Sequence, residues 1–417
     1  MSRLVVQGGK KLKGSIEVPG AKNAVLPILA ASLLSTKPIR LEHCPHLLDV
    51  DNMLLILRYL GCSAEWDQDS LVINAASADK CVMPDHLAKE LRSSIFMLGP
   101  VLGRFKKALF SYPGGCEIGH RPIDLHLHGL SALNVRIVEE HGHIICDGKE
   151  LTGASIHLDY PSVGATENLM MAAVAAKGQS MIFNAAREPE IEDLQNFLNL
   201  MGCQVSGAGT STIAINGGFE PCPVTYRIIP DRIVTGTLMC AAAITGGDIQ
   251  LYNIRPAHLG SIVSKLREAG CAIDVYADSL RIRGPHRPRE LKLVETLPHP
   301  GFPTDMQAQV FALCTIADGT SIIVENVFEN RFKHASELAR MGAVSMLKDR
   351  TAIIRGVPRL TGAQVTARDL RGGAALVLAG LCADGTTVVN SAEHIDRGYE
   401  RLENMLNSLG AEVYREN

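Results

Sequence analysis

Leu406-Asn407-Ser408-Leu409-Gly410-Ala411-Glu412-Val413-Tyr414 closes a helix and opens a strand. Tyr399, Leu402, Leu406 and Leu409 fall at spacings of three and four, the apolar stripe of an amphipathic helix. Gly410 follows, the residue type that takes the left-handed conformation at a helix C-terminus with least strain. The alternation after it reads as a strand. The same signature, Leu-x-x-apolar-Gly, recurs at 57–61, 198–202, 266–270 and 338–342, and at 130–134 with Asn134 in place of glycine. The terminating residues lie 68 to 73 positions apart, so six units of about 70 residues nearly fill the 417-residue chain.

Each unit holds a second, different helix, rich in Ala, Leu, Met and Val on all sides. These fall at 24–34, 93–102, 165–176, 233–244, 306–316 and 372–382. A helix apolar all round is a buried one. Glycine turns and β-rich runs such as Gly319-Thr320-Ser321-Ile322-Ile323-Val324 follow. Each unit is therefore α+β, with one buried helix, one surface helix and several strands. A doubly wound dinucleotide fold is disfavoured, because no Gly-x-Gly-x-x-Gly follows a strand. A binding solenoid is disfavoured too, since solenoid units are shorter and less apolar.

A net charge of −3 argues against a nucleic-acid binder. Any grip on an anion must come from a few placed cations. The N-terminus lacks the charged start and apolar run of a signal peptide, and no apolar stretch approaches the ~20 residues of a membrane span. The eleven cysteines contain no C-x-x-C pair, so neither a zinc site nor a disulfide scaffold is suggested. A cytoplasmic protein is the simplest expectation.

The starts of the buried helices are unusually polar. Lys22-Asn23, Arg92, Asp231-Arg232, Asp305 and Arg368-Asp369-Leu370-Arg371 open five of them, and Ser162-Val163-Gly164 the other. Helix starts favour anions, so cations there invite explanation by an anionic ligand, although a surface salt bridge accounts for any one of them. Pro113-Gly114-Gly115-Cys116-Glu117-Ile118-Gly119 lacks the Gly-Lys-Ser/Thr ending of a P-loop and reads instead as a mobile loop displaying a cysteine. Arg121 follows closely, and a nearby cation favours a thiolate. Thr304 and Asp305 suit a helix cap and a first-turn carboxylate. His394-Ile395-Asp396-Arg397-Gly398-Tyr399-Glu400-Arg401 joins a strand to the last amphipathic helix.

Together these clusters resemble the UDP-N-acetylglucosamine 1-carboxyvinyltransferases, a branch of the enolpyruvyl transferases. The resemblance runs from Leu4 to about Val413. It rests on Gly20-Ala21-Lys22-Asn23, Pro113-Gly114-Gly115-Cys116, Arg121-Pro122-Ile123-Asp124-Leu125, Ser162-Val163-Gly164-Ala165-Thr166, Ala186-Arg187-Glu188-Pro189-Glu190-Ile191, Asp231-Arg232-Ile233, Phe328-Glu329-Asn330-Arg331-Phe332, and the runs 302–309 and 394–401. The shikimate-pathway relative shares the six-unit plan but differs at Lys22-Asn23 and Cys116.

The resemblance implies a two-domain inside-out α/β prism with three repeats per domain. Residues 22–229 would form the domain bearing the Cys116 loop, and 1–21 with 230–417 the second, a cleft lying between them. It implies transfer of the enolpyruvyl group of phosphoenolpyruvate to the 3′-hydroxyl of UDP-N-acetylglucosamine, with release of phosphate. That is the first committed step of peptidoglycan synthesis, and so of cell-wall growth, shape and division. Cys116 as general acid, Asp305 as general base, Lys22 and Arg397 would be catalytic, with Asp369 a helper. Lys22, Asn23, Arg92, Arg121, Arg371 and Arg397 would hold phosphoenolpyruvate. Asn23, Arg92, Arg121, Pro122, Ile123, Asp124, Leu125, Ser162, Val163, Gly164, Asp305 and Val327 would hold the nucleotide-sugar. Neither metal nor organic cofactor is called for, and Cys116 would be the target of fosfomycin. Val234, Pro19 and Tyr160 depart from the family pattern, which touches uridine contacts and hinge details. The alternatives are a non-catalytic UDP-N-acetylglucosamine-binding paralogue, expected to have lost such residues, and 3-phosphoshikimate 1-carboxyvinyltransferase.

Overall fold

Gly61, Asn134, Gly202, Gly270, Gly342 and Gly410 all have positive φ, between 65° and 107°. Each ends a helix as its sequence suggested, and each is followed within three residues by a strand. The computed structural model describes residues 2–83, 87, 92–111 and 123–416. Among them the strands form six sheets, five of four strands and one of three.

The sheets share one plan. Strand Ser155–His157 runs parallel to Gln179–Phe183, which pairs antiparallel with Thr212–Asn216, itself antiparallel to Gln204–Ser206. Val294–Glu295, Thr320–Val324, Thr351–Arg355 and Val344–Lys348 repeat that order. Two sheets take their parallel strand from a distant part of the chain: Lys13–Glu17 beside Asp248–Tyr252, and Val224–Arg227 beside Ile39–Glu42. In another, Arg3–Gln7 lies between Thr386–Asn390 and Glu412–Glu416, so both chain ends complete one sheet. The three-stranded sheet, Lys107–Ser111, His143–Asp147 and Arg136–Glu140, has, among the described residues, a bridge from Val82 to Leu109 at the parallel position.

The chain forms two compact units. A split unit comprises residues up to Pro19 and from Pro230 onward, and the other, termed the continuous unit, takes the described residues between Gly20 and Ile229. Each has three of the sheets and its own apolar core. In the split unit the buried helices Arg232–Thr245, Gln307–Cys314 and Leu370–Cys382 pack on one another. In the continuous unit Lys22–Ala31, Leu98–Phe105 and Val163–Ala173 occupy the corresponding places. Side chains such as Leu238, Phe311, Leu376, Ile28 and Leu169 are fully buried, each stabilising its unit by ~1.5–3 kcal/mol relative to exposure.

Two helices differ from their reading: the last, Leu402–Ser408, begins beyond Tyr399, after the left-handed Arg401, and the second buried helix starts late. Residues Arg92–Met97 form a 3-10 segment, and the α-helix begins only at Leu98. Pro100 explains the shift, since a proline is tolerated in a first helical turn, where its missing N–H has no intrahelical acceptor to lose.

Candidate active site

In the split unit, three buried-helix starts gather around Arg371. Asp231 caps helix Arg232–Thr245, its Oδ1 accepting from the N–H groups of Ile233 (2.7 Å) and Val234 (2.9 Å). Asp369 caps Leu370–Cys382 in the same way, accepting from Arg371 and Gly372 at 3.0 and 2.8 Å. Helix-capping therefore accounts for both aspartates. Thr304 is not a cap: its hydroxyl donates to Glu325 Oε2 at 2.8 Å, and Pro303 precedes the 3-10 turn Thr304–Met306. Buried Glu325 also accepts from Thr296 Oγ1 and from the N–H groups of Val327 and Phe328. One carboxylate thus fixes both the Asp305 turn and the Val327 segment.

Asp305 lies between two guanidiniums. Arg331 Nη2 donates to Oδ1 at 2.6 Å and Arg371 Nη2 to Oδ2 at 3.1 Å. The arginine side chains are only 4% and 3% exposed, whereas Asp305 is 26% exposed. Burial pushes the Asp305 carboxyl up, but the charges of Arg371 and Arg331 and their hydrogen bonds outweigh it and hold it well below the usual carboxylate range. Arg371 feels the converse: burial disfavours its charge, while Tyr399, Asp305 and Asp231 raise its pKa above the ordinary value.

Neither guanidinium is saturated. Among the described residues, Nε and Nη1 of both Arg331 and Arg371 are buried without a hydrogen-bond acceptor. Gln307 and His334 also have buried side-chain atoms with no partner among the described residues. His334 stacks edge-on against Phe311 at 4.8 Å between centroids. Burial lowers its pKa to about 4, with Asp369 raising it and Arg331 lowering it, so it is neutral near pH 7. Buried polar groups are normally satisfied, so this concentration of unspent donors makes the cluster a candidate site for acceptors from outside the chain. Tyr399, over whose ring Arg371 sits at 5.3 Å, is anchored through its hydroxyl to Thr237 Oγ1 (2.9 Å) and Gln309 Nε2 (3.1 Å). Arg397 follows the helical turn Glu393–Asp396, just before this tyrosine.

In the continuous unit, Lys22 begins helix Lys22–Ala31 and is buried against Asp49, Nζ to Oδ2 2.7 Å. Half-buried Asn23 follows it. Ser162 caps Val163–Ala173 by accepting from the Ala165 N–H at 3.3 Å. Gly164 stands where a Cβ would come within 3.0 Å of Phe96 and 3.4 Å of His126. The Gly99 N–H donates to Asn168 Oδ1 at 2.6 Å, which orients the amide so that Nδ2 donates to His126 Nδ1 at 3.0 Å. The proton of the neutral imidazole, whose pKa burial lowers to about 4 against the opposing charge of Asp124, therefore sits on Nε2. Glu167, on the same helix, is raised well above the usual range by burial and by the charges of Glu190 and Glu188.

A family model described as EPSP synthase (3-phosphoshikimate 1-carboxyvinyltransferase) matches residues 6–406. The UDP-N-acetylglucosamine 1-carboxyvinyltransferase 2 of Caldanaerobacter subterraneus subsp. tengcongensis is 52% identical over 415 residues, spanning 100% of both chains. The chain belongs to the EPSP synthase family of enolpyruvyl transferases. A UDP-N-acetylglucosamine 1-carboxyvinyltransferase 1 from Carboxydothermus hydrogenoformans is 51% identical over 419 residues, spanning 100% of this chain and 99% of its own. Among solved structures, the enolpyruvyl transferase NikO from Streptomyces tendae superposes with a TM-score of 0.90 at 25% identity, covering 99% and 98% of the two chains. The mixed α/β fold is that of enolpyruvyl transferases.

Within this enolpyruvyl transferase the structure brings Asp305 and Arg371 together, and Asp231, Asp369 and Tyr399 lie around Arg371. Ile123 precedes helix Asp124–Ala132, which holds Asp124 and Leu125 in its first turn. Arg92 heads its 3-10 segment. Cys116, Arg121 and Pro122 lie outside the described residues. Among the departures, Val234 is buried in the split unit's core and Tyr160 is exposed. Sequence reasoning assigned no role to Arg331, Asp49, His126 or Glu325. Arg331 stood in a quoted motif, but pairing with Asp305 across 26 residues leaves no local trace.

Proposed function

We propose that the chain transfers the enolpyruvyl group of phosphoenolpyruvate to the 3′-hydroxyl of UDP-N-acetylglucosamine and releases phosphate. The observation that carries this reading is the Asp305–Arg331–Arg371 cluster, in a chain about half identical, end to end, to proteins named for that activity. The hydroxyl oxygen bonds to C2 of the enol ester while C3 gains a proton, and the tetrahedral adduct then loses a proton from C3 and expels phosphate as the C2–C3 double bond reforms. Asp305 takes the hydroxyl proton. Cys116 supplies the proton to C3, each such role being worth ~10²–10⁴-fold.

The resting clamp makes Asp305 a weak base, because its charge is already neutralised on both sides. Arg331 and Arg371 turn their unspent N–H groups to the substrate carboxylate, a charge-assisted contact that shares the cations between two anions. Asp305 gains basicity as the acceptor arrives. Lys22 and Arg397, with Arg92 and Arg121, hold the phosphate, and Lys22 brings Asp49 as a counter-charge. Asn23, residues 121–125, residues 162–164 and Val327 hold the nucleotide-sugar, where Nε2–H of His126 adds a fixed neutral donor beside Gly164.

On this reading the enzyme works in the cytoplasm at the entry to peptidoglycan synthesis. No described helix is long and apolar enough to cross a membrane. The test is phosphate release with each substrate omitted in turn, and with 3-phosphoshikimate in place of the nucleotide-sugar. Release that needs phosphoenolpyruvate and UDP-N-acetylglucosamine together supports the proposal. Release driven by 3-phosphoshikimate, or no release with any acceptor, defeats it.

A further inference from the structure

Arg415, in the last strand (Glu412–Glu416), reaches the segment that carries Arg397. Its guanidinium makes two bonds to Asp396, Nη1 to Oδ2 at 2.8 Å and Nη2 to Oδ1 at 2.7 Å. It makes two more to Glu403, Nε to Oε1 at 2.8 Å and Nη2 to Oε2 at 3.1 Å. The Arg415 side chain is 13% exposed, that of Glu403 7% and that of Asp396 31%, so the bonds to Glu403 are little weakened by water and those to Asp396 more so. Burial tends to neutralise Glu403, yet its bonds to Arg415 leave its carboxyl below the ordinary value.

The two carboxylates bracket one short stretch of backbone. Asp396 ends the turn Glu393–Asp396 and is the residue before Arg397. Glu403 lies in the first turn of helix Leu402–Ser408. Between them Tyr399 is tied to Thr237 and Gln309. Arg401 takes a left-handed φ of 47°, which a non-glycine residue adopts only where its surroundings impose it. One planar fork therefore fastens both ends of a strained segment to the terminal strand, a geometry that lysine cannot reproduce.

We propose that Arg415 is the positioning residue for Arg397: it holds the 396–403 segment so that Arg397 meets the phosphoenolpyruvate anion in a preset conformation. The inference rests on the reading of Arg397 as a ligand of that substrate. A cation whose backbone is fixed before binding spends less ordering entropy on the anion it grips. Loss of Arg415 should therefore appear in the phosphoenolpyruvate KM and leave the nucleotide-sugar KM alone.

The experiment measures phosphate release by the full chain, varying each substrate at saturating levels of the other. The variants are Arg415→Gln, Arg415→Lys, Arg397→Gln, the double Arg397→Gln/Arg415→Gln, and Asp396→Asn. Arg3→Gln serves as control, because it removes an exposed pair with Glu416 on the same strand. Arg415→Gln should raise KM for phosphoenolpyruvate roughly ten- to hundredfold. KM for UDP-N-acetylglucosamine should stay within about twofold, lysine should recover part of the loss, and Arg3→Gln should match the wild type. The double variant should be no worse than Arg397→Gln alone, since Arg415 acts only through Arg397. Additive losses, or parallel rises in both KM values, overturn the inference. If Arg415→Gln does not fold, Asp396→Asn carries the same expectation, and an unshifted phosphoenolpyruvate KM there overturns it. An active wild type with those outcomes leaves the functional reading standing, whereas an inactive wild type removes both.

Discussion

At the scale of the residue, Asp305 poses a chemical problem that its neighbours also solve. A carboxylate held by two buried guanidiniums is a stable ion and a poor proton acceptor, and the donors that suppress it are the ones a substrate anion would recruit. Asp305→Asn should lower kcat by ~10²–10⁴-fold in the phosphate-release assay with modest change in either KM; a loss under threefold would remove Asp305 from the chemistry. Arg331→Gln takes away one half of the clamp. The Asp305 pKa should then rise toward the ordinary carboxylate range, moving the acid limb of the kcat/KM profile to higher pH. The same variant should weaken phosphoenolpyruvate use by roughly ten- to hundredfold, the worth of charge-assisted bonds. An acid limb that stays put or moves down would contradict the clamp. Cys116→Asp separates proton donation from nucleophilicity: it should keep turnover but resist fosfomycin, because a carboxyl gives a proton without being a soft nucleophile. Rapid inactivation of that variant by the epoxide would count against the assignment. Of these residues the sequence displays Asp305 and Cys116 through motifs. Arg331 becomes visible only as a partner, because ion pairing over 26 positions has no periodicity to read.

The helix ends show what is locally legible and what is not. A left-handed residue after an amphipathic helix is a one-turn property, so six of six were readable from the spacing of leucine and glycine. Strand partnership is a long-range property. Nothing near Lys13–Glu17 announces that it will lie beside Asp248–Tyr252, nor that Arg3–Gln7 will complete a sheet with the C-terminal strand. The 3-10 start at Arg92–Met97 was missed because apolar composition does not distinguish helix types, and Pro100 was the signal available. The helix ends also offer a graded test of conformational strain. At Gly342 (φ 93°) an added Cβ meets nothing within 4 Å, so Gly342→Ala isolates the cost of a left-handed residue, ~1–2 kcal/mol. At Gly202 (φ 107°) the Cβ would also fall 2.5 Å from the Glu220 carbonyl oxygen, so Gly202→Ala should cost more. Asn134→Gly, at φ 65°, should be close to neutral or mildly stabilising. Urea midpoints of the three variants should follow that order, and equal losses at 202 and 342 would show that the backbone moves aside at Gly202.

For the whole molecule, two cores imply two places where stability can fail, and among the described residues each contains one buried neutral histidine. His126 belongs to the continuous unit and His334 to the split unit, and burial first of all lowers each to about 4. Asp124 opposes that shift at His126; at His334, Asp369 opposes it and Arg331 reinforces it. In the unfolded chain an imidazole binds its proton near pH 6.5. Above that value neither state is protonated and the full stability is present. Between about 6.5 and 4 the unfolded chain takes up protons that the folded chain refuses, so stability falls with pH, by roughly 2–3 kcal/mol per histidine. Below about 4 both states are protonated and this contribution is exhausted. Carboxylates such as Asp305, held low by their arginines, add their loss only at still lower pH. Buried Glu167 of the continuous unit, held above the usual carboxylate range, works the other way in this window, so unfolding followed from pH 7.5 to 4 should show the decline most clearly in the split unit. If the units unfold separately, two transitions will be seen, and a single two-state fit would be inappropriate. His334→Gln should flatten the pH dependence of the split unit's transition alone, and His126→Gln that of the continuous unit. Substitutions that shift both transitions equally, or leave the decline above pH 4 unchanged, would place its origin elsewhere than in these two imidazoles.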